Sequence, residues 1–144
     1  MQWAITFREY LSLCEANIIQ MPCPESSFPS YDKGMNRATH GIKYYKELIG
    51  FREHCKALAE DIVQLINGMW KIGYNNITII GVEHSPTCAV NYIYTHQGVI
   101  HSKGIFFQEI GALLEQKQIT VSYIGINRRY YKKAVHELDE LLHV

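Results

Sequence analysis

The sequence predicts an α/β protein: a three-layer sandwich in which a small, mostly parallel sheet is covered by helices on both faces. Two observations predict this class. Segments with helical periodicity alternate with short β-branched runs, and such alternation favours parallel strands joined by crossover helices. The chain also has 144 residues, of which 47% are hydrophobic, which is enough to bury the core of one domain spanning residues 1–144.

Helical segments are predicted where apolar residues recur at three- and four-residue steps. They cover residues 3–16, 51–70, 105–116 and 128–144, and a weaker helical segment interrupted by Gly41 covers residues 37–48. Buried strands are predicted at residues 17–21, 77–81 and 119–126, because these short runs are rich in isoleucine or valine. Residues 22–36 and 91–103 are predicted to be loops, since turn-forming and polar residues are dense there.

The order of these elements departs from an ordinary doubly wound fold in one respect. Such a fold begins with a strand, whereas this sequence begins with a helix, and three strands are fewer than the roughly four or five of a small sheet. We therefore expect a strand hidden in the loops, a strand from a neighbouring chain, or an N-terminally short chain. An unpaired strand edge also makes a homodimer an expected assembly.

Charge and hydropathy argue against several classes of function. The 14 Lys and Arg residues balance the 14 Asp and Glu residues, so the basic footprint of a protein that binds a nucleic acid polymer is missing. No apolar run approaches the ~18 residues of a membrane helix, and the N-terminus lacks the pattern of a signal peptide. We therefore expect a cytoplasmic protein without a membrane partner, whose four cysteines are reduced.

Reactive side chains are concentrated in two segments. Cys23 lies between two prolines with Glu25 two residues later, and Ser85 and Cys88 lie within residues 81–92. Each segment follows a predicted strand, and α/β folds place ligands at the carboxyl ends of their strands. We therefore predict one shared site. Thiolates suit iron–sulfur clusters and zinc, although the spacing of these cysteines alone fits two structural loop residues equally well.

The side chains around the two cysteines are candidates for proton transfer and substrate binding. Glu25 is predicted to be a general acid or base, with an exposed loop carboxylate or a helix cap as the alternative. Ser85 either acts on substrate or closes a turn on its own backbone. His84 is a candidate base, and the adjacent Glu83 is a candidate for the carboxylate that orients its imidazole. The residues predicted to contact the substrate are His84, Asn91 and Tyr92.

Several of these segments together match a known pattern. They are Gln20-Met21-Pro22-Cys23-Pro24-Glu25, Phe51-Arg52-Glu53-His54-Cys55, Ile80-Gly81-Val82-Glu83-His84-Ser85-Pro86-Thr87-Cys88 and Gly104-Ile105-Phe106-Phe107. In these segments, over about residues 8–127, the chain resembles the TudS family of thiouracil desulfidases, and more closely a branch of TudS-related desulfidases.

The resemblance implies a desulfidase that removes sulfur from a small thiolated compound such as a thiolated nucleobase. It also implies a 4Fe-4S cluster that is held by three cysteines and has one open iron. By position, Cys23 and Cys88 would be ligands and Glu25 the acid or base. Ser85 would activate or position the attacking water or the substrate.

The chain departs from the family at its N-terminus. The family's first cluster cysteine follows an initial strand ahead of the first helix, and Cys14, which lies inside the predicted helix, does not match that position. A cluster would then need Cys55, a partner chain or a non-cysteine donor. The alternative expectation is a cluster-free or truncated homologue that binds a small ligand or a protein, and zinc or plain thiol chemistry at the same cysteines is a third.

Overall fold

The computed structural model describes residues 2–29 and 41–142 of the chain, with side chains from residue 7 onward. The element order in these ranges is α1 (Gln2–Leu13), α2 (Pro24–Ser27), α3 (Ile42–Glu47), α4 (Phe51–Lys71), β1 (Thr78–Val82), β2 (Tyr92–Thr95), β3 (Gly98–His101), α5 (Ile105–Gln116), β4 (Ser122–Ile126) and α6 (Tyr131–Leu142). The helices predicted at residues 51–70 and 105–116 are confirmed as α4 and α5. The strands predicted at residues 77–81 and 119–126 are confirmed as β1 and β4.

The centre of the fold is the parallel pair of β1 and β4, which are in register from Thr78 opposite Ser122 to Val82 opposite Ile126. On one face, Ile79 packs into a core that α4 and α5 complete. On the other face, Ile80 and Ile124 pack against α1 and α6. The predicted three-layer α/β sandwich is therefore confirmed.

Residues 17–21 do not form the strand that their apolar pattern predicts. Helix α1 ends at Leu13, and among the described residues no strand pairs with this segment. Ile18 and Ile19 are 59% and 48% exposed. A strand depends on backbone hydrogen bonds to a neighbour, which a local apolar run cannot supply, so this prediction is wrong.

Residues 91–103 were expected to be a loop but contain the antiparallel hairpin of β2 and β3. Ile93 is buried while Tyr92 and Tyr94 on either side are exposed, which is the two-residue period of a half-buried strand. The hairpin turn contains Gly98 at φ +113°, a backbone conformation that glycine adopts without steric cost. The loop prediction is wrong, and the alternation of Ile93 with tyrosines was the signal that could have corrected it.

Helices α1 and α6 are shorter than the helical segments predicted at residues 3–16 and 128–144. The loop predicted at residues 22–36 contains the single-turn helix α2, and α3 begins after Gly41. Residues 30–40 of both predictions lie outside the described residues.

In the part of the chain that the structure describes, no helix combines the length and the hydropathy needed to cross a membrane.

Candidate functional site

Cys23 lies at the N-cap position of α2, where its backbone is extended (φ −92°, ψ 115°) and Pro24 occupies the first turn of the helix. Proline suits that position because its missing N–H has no helical partner there. The Cys23 carbonyl oxygen accepts hydrogen bonds from the N–H groups of Ser26 and Ser27, both at 3.1 Å. The Cys23 residue itself is exposed, so the turn fixes the backbone and leaves the thiol accessible.

The far end of α2 is attached to α4. Ser27 Oγ donates to the Cys23 carbonyl oxygen at 2.9 Å and lies 2.8 Å from His54 Nε2. Because the single proton of Ser27 is used in the first bond, the imidazole is the donor in the second. Phe28 packs edge-on against Phe51, with ring centroids 5.3 Å apart. This end of α2 is thus fixed by a polar and an apolar contact.

Glu25 connects α2 with the loop that carries Cys88. Its Oε1 accepts a hydrogen bond from Thr87 Oγ1 at 2.8 Å, and its Oε2 accepts one from the buried Tyr45 hydroxyl at 3.2 Å. Thr87 is 1% exposed, so the first of these bonds lies inside the protein. The two cysteine-bearing segments, 62 residues apart at this contact, therefore meet in the fold.

Ser85 organises the Cys88 loop. Its Oγ accepts hydrogen bonds from the N–H groups of Thr87 at 3.3 Å and Cys88 at 3.1 Å, and lies 3.2 Å from Cys88 Sγ. These are the contacts of a turn hydroxyl, one of the two interpretations of the sequence. The same oxygen lies 3.3 Å from Thr87 Oγ1.

Thr87 joins the two residues predicted to be catalytic. Because its only hydroxyl proton goes to Glu25, Thr87 Oγ1 is an acceptor for the Ser85 hydroxyl. The result is a hydrogen-bond chain from Ser85 through Thr87 to Glu25. No role was predicted for Thr87, because its position between Ser85 and Cys88 carries no sign of a partner on a distant segment.

The backbone of the Cys88 loop fits closely against β1 and the start of α5. The Cys88 carbonyl oxygen accepts from the Val82 N–H at 3.2 Å, and the N–H of Gly104, the N-cap of α5, donates to the Ala89 carbonyl oxygen at 3.0 Å. A Cβ at Gly104 would contact the carbonyl group of Thr87 and lie 2.6 Å from the Cys88 nitrogen. The position of the Cys88 backbone is therefore set by its neighbours on two sides.

Glu83 holds the segment that follows the loop. Glu83 is 5% exposed, and its carboxylate accepts hydrogen bonds from the N–H groups of Val90 at 3.1 Å, Asn91 at 3.0 Å and Tyr92 at 2.8 Å. These bonds place the carboxylate on the backbone of residues 90–92 rather than on the imidazole of His84. Asn91 and Tyr92 are exposed at the surface, and the Tyr92 ring packs edge-on against His101, with ring centroids 5.4 Å apart.

The other two cysteines lie in different settings. Cys14 is half-buried and its thiol donates to the Tyr10 carbonyl oxygen at 3.3 Å. Cys55 is completely buried in the core, and this burial, followed by the nearby Glu109 carboxylate, raises the pKa of its thiol to about 12. Because a metal binds the thiolate form, Cys55 is poorly prepared to be a ligand.

Within residues 2–29 and 41–142, no three His, Cys, Asp or Glu side chains are grouped so as to hold a metal ion. The donor type of Cys23 and Cys88 suits an iron–sulfur cluster, but these two residues supply only two of the three thiolates that the resemblance implies. Comparisons of the chain with protein-family models, with curated proteins and with solved structures find no match.

Proposed function

We propose that this protein is a desulfidase that removes sulfur from a small thiolated compound such as a thiolated nucleobase. The observation that carries the proposal is the hydrogen-bond chain from Ser85 through Thr87 to Glu25, which lies between the loops of Cys23 and Cys88. It connects a carboxylate with a hydroxyl that lies 3.2 Å from the Cys88 thiol, and a positioned carboxylate is a group that general acid–base catalysis uses to move a proton.

In this proposal Cys23 and Cys88 would hold a 4Fe-4S cluster, and a second copy of the chain or another donor would supply the third ligand. The chemistry that such a cluster would supply is Lewis acidity toward the sulfur of the substrate. Glu25 gives and takes the proton at its carboxylate, and Ser85 orients the attacking water or the substrate. Thr87 relays between them. Four free cysteines accord with a reducing, cytoplasmic compartment.

A second candidate function is a cluster-free protein that binds a small ligand at the same loops. It is favoured by the absence, among the described residues, of a group of three metal-binding side chains. In this case the Ser85–Thr87–Glu25 chain would serve to hold the two loops together and offer hydroxyl and carboxylate groups to the ligand.

Anaerobic reconstitution with iron and sulfide separates the two candidates. We expect wild-type protein to acquire the brown visible absorbance of an iron–sulfur cluster, and Cys23→Ala and Cys88→Ala each to lose it, because each removes a thiolate ligand. Iron and acid-labile sulfide are measured for each variant. Cys14→Ala, which alters a thiol bonded within its own helix, is the matched control and should retain the cluster. Colourless, iron-free wild-type protein would contradict the cluster and favour the second candidate.

Glu25→Gln is expected to keep the cluster and to lower turnover of a thiolated nucleobase by at least about 100-fold, the usual contribution of a general acid or base. The amide preserves the size of the side chain but cannot accept and return a proton. Hydrosulfide release by the reconstituted protein measures the effect. Unchanged turnover would mean that Glu25 has no proton role.

Two substitutions of Thr87 provide the control for that result. Thr87→Val keeps the buried volume but removes the hydroxyl between Ser85 and Glu25, whereas Thr87→Ser keeps the hydroxyl. We expect turnover to fall in the valine variant and to persist in the serine variant. Equal turnover in both would show that the hydrogen-bond chain is a structural contact alone.

A further inference from the structure

His84 has a strained backbone at the carboxyl end of β1. Its φ is +69°, in the left-handed region that residues other than glycine rarely adopt. The conformation is held by the His84 N–H, which donates to the Tyr92 carbonyl oxygen at 2.8 Å. Non-glycine residues in such conformations cluster at functional sites, where the strain is retained for what the side chain does.

The imidazole ring of His84 is fixed but chemically unused. It stacks on Tyr94, with ring centroids 4.2 Å apart and planes inclined by 15°. Its Nδ1 is enclosed and has no hydrogen-bond partner among the described residues. Its Nε2 is not enclosed in this way and makes no hydrogen bond to the described part of the chain.

The enclosure of Nδ1 decides which nitrogen carries the proton. A neutral imidazole has one N–H donor and one bare acceptor nitrogen, and among backbone groups a buried N–H without an acceptor is rarer than an under-satisfied buried carbonyl. By the same preference, we infer that in the neutral ring the proton lies on Nε2, the accessible nitrogen. His84 thus carries an N–H donor on a stacked ring, and it directly precedes Ser85 in the sequence, the residue whose Oγ lies 3.2 Å from Cys88 Sγ.

We propose that His84 Nε2–H donates a hydrogen bond to an acceptor atom of the bound ligand and so selects compounds with a carbonyl oxygen, a thiocarbonyl sulfur or an unprotonated ring nitrogen. This inference rests on the proposed function in that it takes the ligand site to lie at the Cys88 loop. A donor role accounts for the strained backbone of His84, for the stacking that fixes its ring on Tyr94 and for the unbonded Nε2. A side chain that served only to fill space in the core would not need a backbone with positive φ.

The tautomer is tested first, on protein without ligand or cluster. Long-range proton–nitrogen correlation spectra of ¹⁵N-labelled protein distinguish a protonated Nε2 from a protonated Nδ1, and the His84→Gly spectrum assigns the signal. We expect the Nε2–H form. Observation of the Nδ1–H form would overturn the proposal.

Ligand binding is tested with His84→Gly, in which glycine relieves the backbone strain and removes the donor. We expect this variant to remain folded, because relief of the backbone strain offsets the lost stacking on Tyr94, but to bind 2-thiouracil and uracil at least about tenfold more weakly, as expected for loss of a hydrogen bond. Calorimetric titration measures the affinity. Gln118→Gly is the matched control, because Gln118 is a non-glycine residue at φ +56°, at the far end of α5, and it should bind as wild type does.

The outcomes separate the two proposals. Wild-type affinity in His84→Gly would overturn the donor role of His84 and leave the proposed function standing. A wild-type chain that bound neither compound, with or without a reconstituted cluster, would overturn both. Weaker binding in His84→Gly together with the Nε2–H tautomer supports the donor role even if no sulfur is released.

Discussion

Gly104→Ala is expected to destabilise the fold by about 3 kcal/mol, the upper part of the range for overpacking a well-packed site. The new Cβ would meet the Thr87 carbonyl group and lie 2.6 Å from the Cys88 nitrogen. All of these atoms belong to the backbone, so no side-chain rotation relieves the contact. The loop must move, and with it the hydroxyl of Thr87 and the thiol of Cys88.

Urea denaturation measures the loss of stability, and the rate of Cys88 alkylation reports the movement of the loop. Gly111→Ala on the same helix is the matched control, because its Cβ would lie 3.8 Å from the Tyr123 hydroxyl, an ordinary contact. Alanine inside a helix is favoured over glycine by about 1 kcal/mol, so this variant should gain stability. Equal stability of Gly104→Ala and wild type would show that the loop adapts without cost.

Gly81→Ala extends the same test to the other side of the loop. A Cβ there would contact the Cys88 carbonyl oxygen and lie 2.5 Å from a ring carbon of Phe107. The Phe107 ring can shift, but the Cys88 carbonyl oxygen is held by a hydrogen bond from the Val82 N–H. Both glycines therefore serve the same purpose, which is to let β1 and α5 approach the Cys88 backbone.

The sequence predicted the elements whose signal is local. Helices α4 and α5 repeat apolar residues over many turns, and β1 and β4 pack against helices on both faces, so composition and period alone identify them. The segment at residues 17–21 shares a central pair of isoleucines with β1 but lacks a neighbouring strand among the described residues. Pairing depends on distant parts of the chain, and no local pattern reports it.

The candidate site likewise has features that the sequence predicted and features that it did not. The sequence predicted that the segments of Cys23 and Cys88 share a site, from their position after apolar runs, and the Glu25–Thr87 hydrogen bond brings them together. The strand expected before Cys23 is absent, so the contact arises through α2 instead. Glu83 was interpreted as an orienter of His84 because the two are adjacent. Its bonds to backbone groups seven to nine residues away depend on a turn that sequence alone does not reveal.

Glu83→Gln is expected to destabilise the protein by about 3 kcal/mol, because it weakens several charge-assisted hydrogen bonds and leaves a buried donor unsatisfied. Both carboxylate oxygens accept hydrogen bonds from backbone N–H groups. A glutamine amide has only one acceptor oxygen, and its NH₂ group would face a backbone N–H, which is also a donor. The neighbouring Gly125 leaves little room for adjustment, since even a Cβ there would lie 2.9 Å from Glu83 Cγ.

Amide hydrogen exchange locates this effect within the chain. In Glu83→Gln, the amides of Val90, Asn91 and Tyr92 should lose protection more than those of α4, because their acceptor is the altered group. Glu60→Gln, an exposed carboxylate on α4, is the control and should change stability by less than about 0.5 kcal/mol. Retained protection at residues 90–92 would contradict the role of Glu83. A weakened hydrogen bond to Tyr92 N–H would also displace Tyr92, whose carbonyl oxygen holds His84 in its strained conformation. The stability of this turn and the position of the imidazole therefore depend on the same carboxylate, that of Glu83.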